Sequence, residues 1–106
     1  MPDNLVAIII PIYKEQPNAN ELMSLRQCLI VLKKHPIIFI CPAKLNTVVY
    51  QDICQDYLPF KLHTFNDDYF SGIAGYNKLM LSASFYKTFL KYKYLLIYQL
   101  DAYVFN

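Results

Sequence analysis

The sequence predicts an α/β fold, a Rossmann-like parallel sheet in the order βαβαβαβ with helices on both faces. Three observations point to it. Short runs of β-branched and apolar residues recur at Val6-Ala7-Ile8-Ile9-Ile10, at Pro36 to Ile40 and at Tyr94 to Leu100. They are apolar at successive positions, as strands covered on both faces of a parallel sheet are. Segments with helical spacing of apolar residues stand between them, and right-handed crossovers join such an alternation into one sheet.

Each element has its own signal. Val6 to Ile10 is the first strand, and Pro11 ends its ladder because proline has no amide hydrogen to donate. Asn18 followed three residues later by Glu21 predicts a capped helix start, and Leu22, Leu25, Leu29 and Leu32 then recur on one face. Pro36 to Ile40 is the second strand, closed by Pro42. Asn46 or Thr47 can cap a short helix whose stripe is Val49, Ile53 and Tyr57, ending before Pro59. Leu62 to Phe65 is a thinner strand, and Asn66-Asp67-Asp68 reads as a loop. From about Gly72 to Lys91 the pattern is helical, with Leu79, Ala83, Tyr86 and Leu90 on one face and Gly75 permitting close approach one turn earlier. Tyr94 to Leu100 is the fourth buried strand.

Bulk composition narrows the functional classes. A chain of 106 residues fits one domain, which buries about two-thirds of the surface exposed by its unfolded form. With 56% hydrophobic and 17% charged residues, the apolar supply exceeds what such a small body hides, so a partner or a second copy is expected to cover the excess. Ten Lys and Arg against eight Asp and Glu give a net charge of +2 with no dense basic run, so no nucleic-acid partner is expected. Cys28, Cys41 and Cys54 are odd in number and widely spaced, against a disulfide framework or a structural zinc site. No apolar run approaches the length of about 20 residues that a membrane span requires. The N-terminus lacks a basic signal-peptide start, and a cytoplasmic chain with no transmembrane segment is expected.

In open α/β sheets ligands collect beyond the carboxyl ends of the strands. The residues there are Ile12-Tyr13-Lys14-Glu15, Cys41-Pro42-Ala43-Lys44, Asn66-Asp67-Asp68 and Asp101-Ala102-Tyr103. The only glycines, Gly72 and Gly75, permit neither a G-x-G-x-x-G turn nor a P-loop. His35 and His63 have no ligand spacing and are read as structural. Asp101 directly follows an apolar strand, where a carboxylate can ligate a divalent cation or cap the following turn.

Val6-Ala7-Ile8-Ile9-Ile10-Pro11-Ile12-Tyr13-Lys14-Glu15 resembles the "V-I-I-P-x-Y-N-E" opening strand of family-2-type glycosyltransferases of the GT-A fold. Gly75-Tyr76-Asn77 is similar to that family's "A-R-N", and Leu100-Asp101-Ala102-Tyr103 to its "L-D-A-D". Tyr76 to Met80 followed by Leu96 to Phe105 is similar to a group of poorly characterised glycosyltransferase-like proteins. The resemblance implies the N-terminal half of a GT-A fold binding a nucleotide-diphospho-sugar donor. It implies Tyr13 beside the base, Asp101 near the diphosphate, and Pro11, Lys14, Glu15, Asp67, Asp68, Asn77, Lys78 and Tyr103 as further donor-binding candidates. A divalent cation, Mg2+ or Mn2+, is implied at Asp101. The chain departs from the pattern in three places. Tyr103 stands where "D-x-D" has its second carboxylate, Cys41-Pro42 replaces the acidic residue after the second strand, and Tyr76 replaces the arginine.

The general base of an inverting transferase of this fold comes from the half after the metal strand. The chain stops at Val104-Phe105-Asn106, just past a strand, so a truncated domain is expected. By itself it is expected to bind donor weakly and to transfer no sugar. The competing expectation is a non-catalytic Rossmann-like binding or assembly module.

Overall fold

The computed structural model describes residues 6–32, 34–55, 60–70 and 72–100. Four strands, β1 (Val6–Pro11), β2 (Ile37–Pro42), β3 (Phe60–Phe65) and β4 (Tyr94–Ile97), form one sheet in the order β3-β2-β1-β4, with every neighbouring pair parallel. Helices α1 (Ala19–Val31) and α2 (Val48–Cys54) lie between the first three strands, and α3 (Ile73–Met80) and α4 (Ala83–Thr88) between β3 and β4. A 3-10 turn at Asp67–Phe70 precedes α3.

The pleat sorts the core. Ile8, Ile10, Ile12, Ile37, Phe39 and Cys41 meet Leu25, Cys28 and Leu29 of α1 and Tyr50 and Cys54 of α2. The alternate residues Ala7, Ile9, Ile38 and Ile40 meet Leu79 of α3, Phe85 of α4, and Phe89 and Tyr92 beyond it. Period-two alternation therefore serves both faces at once, which is why β1 and β2 are apolar throughout. The α/β class and the helices on both faces are as the sequence predicts.

The capped start of α1 forms as expected: Asn18 Oδ1 accepts from the Glu21 amide at 2.8 Å and Glu21 Oε1 accepts from the Asn18 amide at 2.9 Å. Other expectations shift. The long helix expected over about 72–91 breaks at Leu81-Ser82 into α3 and α4, which changes the phase of the apolar face. Leu79 is buried as expected, but Ala83, Tyr86 and Leu90 are exposed, and Phe85 and Phe89 take the core positions. On α2 the buried pair is Tyr50 and Cys54, one position on from the expected stripe, whose Val49 and Ile53 are half-buried and whose Tyr57 lies outside the described residues. β4 is shorter than expected and is an edge strand, with Tyr94 and Leu96 facing solvent while Leu95 and Ile97 pack inward.

Gly75 has the close-approach role expected of it. A Cβ there would collide with the carbonyl oxygen of Asp68, so α3 docks on the preceding turn only because this position lacks a side chain. Gly75→Ala is expected to cost about 1–3 kcal/mol through this overpacking, outweighing the roughly 1 kcal/mol that alanine gains in helix propensity. Urea denaturation measures the difference, and a variant as stable as the native chain would contradict the contact.

Three buried thiols add a pH dependence. Burial, with a smaller push from Cys54, raises Cys28 from 9.0 to about 11; burial alone takes Cys54 to about 11 and raises Cys41. The fold holds these acids neutral, so their contribution is complete below the unfolded value of 9.0 and is lost as pH climbs toward about 11. Melting temperature is expected to fall across that window, and to fall less in Cys28→Ala; an identical slope in the variant would refute this assignment.

Candidate functional site

The order β3-β2-β1-β4 makes the chain leave β1 on one side of the sheet and return beside it through β4. The first two crossovers, through α1 and α2, run over one face and the third, through α3 and α4, over the other, and a crevice opens beyond the carboxyl ends of β1 and β4. A cavity of about 490 Å³ occupies that place. Its floor is Pro11 and Ile12 after β1 and Gln99 and Leu100 after β4; one wall is Tyr13, Lys14, Glu21 and Tyr50, and the other is Phe70, Gly72, Tyr76 and Asn77. That volume suits a small-molecule ligand, and the mostly apolar lining with a few polar groups is usual for such sites.

The loop after β1 is held at three points. Ile12 donates its amide to the Ile40 carbonyl at 2.9 Å, carrying the ladder one residue past the strand. Lys14 Nζ meets Glu21 Oε1 at 3.0 Å, joining the loop to the first turn of α1. Tyr50 Oη donates to the Lys14 carbonyl at 2.9 Å from α2. Burial, the Glu21 carboxylate and Tyr13 together push the Tyr50 hydroxyl up to about 12, so it stays a donor across the physiological range. Tyr13 itself is half exposed, with the Lys14 ammonium 5.7 Å from its ring centroid. Across the cavity Gln99 Nε2 donates to Tyr76 Oη at 3.1 Å, linking the end of β4 to α3. Tyr98 Oη donates to the Ser24 carbonyl at 3.2 Å, tying β4 to α1.

The expected donor-binding residues divide into groups. Pro11, Tyr13, Lys14 and Asn77 line the cavity together. Asp68 and Lys78 line a shallower hollow on the other side of Asn77. Asp67 accepts from the Lys44 amide at 3.4 Å and lies 3.9 Å from its ammonium, while Glu15 is exposed and not part of the cavity wall. Asp101 and Tyr103 lie outside the described residues. Glu21, Tyr50 and Gln99 were not expected in the lining. Glu21 was legible as a capping residue, and Tyr50 with Cys54 at i+4 was the available signal for the buried face of α2.

Among the described residues no group of three or more His, Cys, Asp and Glu side chains converges to hold a metal ion. The carboxylate of the described wall, Glu21, already accepts from both Lys14 and the Asn18 amide. These residues do not amount to a cation site, and no metal-dependent step follows from them. What they can do is bind: an aromatic face at Tyr13, a cation at Lys14, and amide and hydroxyl groups at Asn77, Gln99 and Tyr76.

His63 packs edge-on against Phe89 at 5.3 Å, the structural role expected of it. His35 is half-buried, and its Nδ1 has no hydrogen-bond partner among the described residues.

Glu21→Ala removes the reciprocal cap and the Lys14 ion pair together and is expected to cost about 2 kcal/mol. Tyr50→Phe, which loses one hydrogen bond, is expected to cost about 1 kcal/mol. Denaturant midpoints check both, and unchanged midpoints would mean that these contacts do not hold the loop.

A family model described as a protein of unknown function (DUF5672) matches residues 59–106. That stretch holds β3, α3, α4 and β4, and so the Tyr76, Asn77 and Gln99 wall of the cavity, while Tyr13 and Lys14 lie outside it. No curated protein and no solved structure matches the chain.

Proposed function

We propose that this chain is the donor-binding half of a GT-A-type glycosyltransferase and that the cavity between β1 and β4 receives a nucleotide-diphospho-sugar. The observation that carries the reading is the convergence of Pro11, Tyr13, Lys14 and Asn77 on one cavity at the point where the strand order reverses. These residues come from the "V-I-I-P-x-Y-N-E"-like and "A-R-N"-like segments, separated by some sixty positions of sequence.

The chemistry supports it. A half-exposed tyrosine offers a flat face on which a nucleobase stacks. Lys14, tethered by Glu21, supplies positive charge for a diphosphate without extending freely into solvent. Asn77 and Gln99 offer amide donors and acceptors to ribose or sugar hydroxyls. Asp101 directly follows Leu100, a residue of the cavity floor, and is the carboxylate proposed to recruit Mg2+ or Mn2+ if the donor binds as its metal complex. Transfer itself needs an acceptor site and a general base, so the proposed role of these residues is to bind and orient the donor.

Isothermal titration with UDP- and GDP-sugars, with and without Mn2+, tests the proposal. Donor binding is expected, weakened about tenfold or more in Tyr13→Ala, since stacking of one base contributes about 1–3 kcal/mol. A loss of Mn2+ enhancement in Asp101→Ala would assign the metal to that carboxylate. No heat with any donor, together with a concentration-dependent dimer, would replace the reading with that of an assembly module using the exposed Tyr94 and Leu96 of the β4 edge.

A further inference from the structure

The end of the sheet opposite the cavity carries a different chemistry. The residues that lead into β2 and β4 and those that open β3 lie at the amino ends of the strands. On this rim stand Lys34 before β2, Lys61 at the second position of β3, and Lys91 and Lys93 in the turn that leads from α4 into β4. All four are exposed, and none has a carboxylate partner among the described residues. The ion pairs Lys14–Glu21 and Lys44–Asp67 are both at the carboxyl end. Described acids follow the same division: Glu15, Glu21, Asp67 and Asp68 belong to the cavity end, and Asp52 sits in the body of α2.

The rim lysines are also crowded. Lys91 is the foremost influence on the fully exposed Lys61 ammonium and depresses it, which marks the two cations as neighbours on the rim. Two like charges so close together favour an anion that bridges them. The Lys91 ammonium lies 5.2 Å over the Tyr92 ring and the Lys93 ammonium 5.7 Å over the Tyr94 ring, so both cations are held against aromatic faces. From β3 to β4 the rim spans three interstrand spacings, about 14 Å.

Apolar groups interleave with these charges. Leu90, immediately before Lys91, is 75% exposed, and Tyr94, immediately after Lys93, is 57% exposed. A soluble polyanion would satisfy the lysines but would leave Leu90 and Tyr94 in water. A lipid interface satisfies both, because lysine heads meet anionic headgroups, tyrosine sits at the headgroup level and leucine enters the acyl boundary.

We propose that the rim formed by Lys61, Leu90, Lys91, Lys93 and Tyr94 docks the protein peripherally on an anionic phospholipid surface. Docked this way, the cavity at the far ends of the same strands faces away from the lipid. The inference rests on the rim alone and does not depend on what the cavity binds.

Co-sedimentation of the full chain with vesicles tests it. Binding is expected to vesicles of phosphatidylcholine with one-third phosphatidylglycerol, to be much weaker with phosphatidylcholine alone, and to fall steeply in 0.5 M NaCl. Each lysine near such a surface contributes about fivefold, so the K61Q/K91Q/K93Q variant is expected to bind on the order of a hundredfold more weakly. Leu90→Ser is expected to weaken binding further, while R26Q/K44Q, which removes two cations elsewhere, should bind as the native chain does. Circular dichroism establishes that each variant is folded. If the triple variant fails to fold, the lipid and salt dependence of the native chain together with Leu90→Ser decides. Equal binding to neutral vesicles, equal loss in R26Q/K44Q, or tight binding to single-stranded RNA without preference for anionic vesicles would overturn the proposal.

Discussion

Strand β1 is the constraint on which the rest of the molecule depends. Ala7, Ile8, Ile9 and Ile10 are wholly inaccessible to solvent, and β1 is paired on one edge with β2 and on the other with β4. A strand with no polar side chain and no free edge can exist only inside a sheet covered on both faces. The helices must therefore divide between the two sides, with α1 and α2 on one and α3 and α4 on the other. That division sends the first two crossovers over one face and the third over the other, and so opens the crevice between β1 and β4. The cavity is thus a consequence of burying β1.

Polar contacts then convert the crevice into a defined wall. Glu21 serves two purposes through one oxygen, closing the cap of α1 and holding Lys14. Tyr50 reaches from the second helix to the backbone of the same loop. Both groups are almost fully buried, where such hydrogen bonds are strengthened by the low dielectric and costly to leave unmade. The opposite end of the sheet has the reverse character, with lysines that lack carboxylate partners among the described residues. Among the described residues charge is therefore polarised along the strand direction, with most acids and both ion pairs at the cavity end and a group of lysines at the rim.

How much of this was legible in the sequence depended on whether a signal was local. The capping box needs residues three apart, and the sequence named both members. Gly75 was recognisable as a point of close approach, although its partner, the Asp68 carbonyl, was not. The helical pattern over about 72–91 misled because Leu79, Ala83, Tyr86 and Leu90 do share a face on one continuous helix. The break at Leu81-Ser82 lets Phe85 and Phe89 turn inward instead, and larger rings fill the space over Ile9 and Ile38 better than alanine. Tyr94 to Leu100 looked like a buried strand by composition, but the strand covers only Tyr94–Ile97 and its edge position leaves alternate residues in solvent. Of the residues expected at the site, Pro11, Tyr13, Lys14 and Asn77 come together. Asp67, Asp68, Glu15 and Lys78 belong to other parts of the surface, and Asp101 and Tyr103 are outside the described residues.

By itself the sequence determined the α/β class, the succession of strands and helices, the apolar character of β1 and β2 and the cap of α1. These depend on periodicity and on contacts a few residues apart. Only the tertiary structure decided that β4 lies beside β1, that Tyr50 meets Lys14 and that Gln99 meets Tyr76. Those choices depend on which long-range pairing covers both faces of the central strands, a property of the whole packed chain that no local window carries.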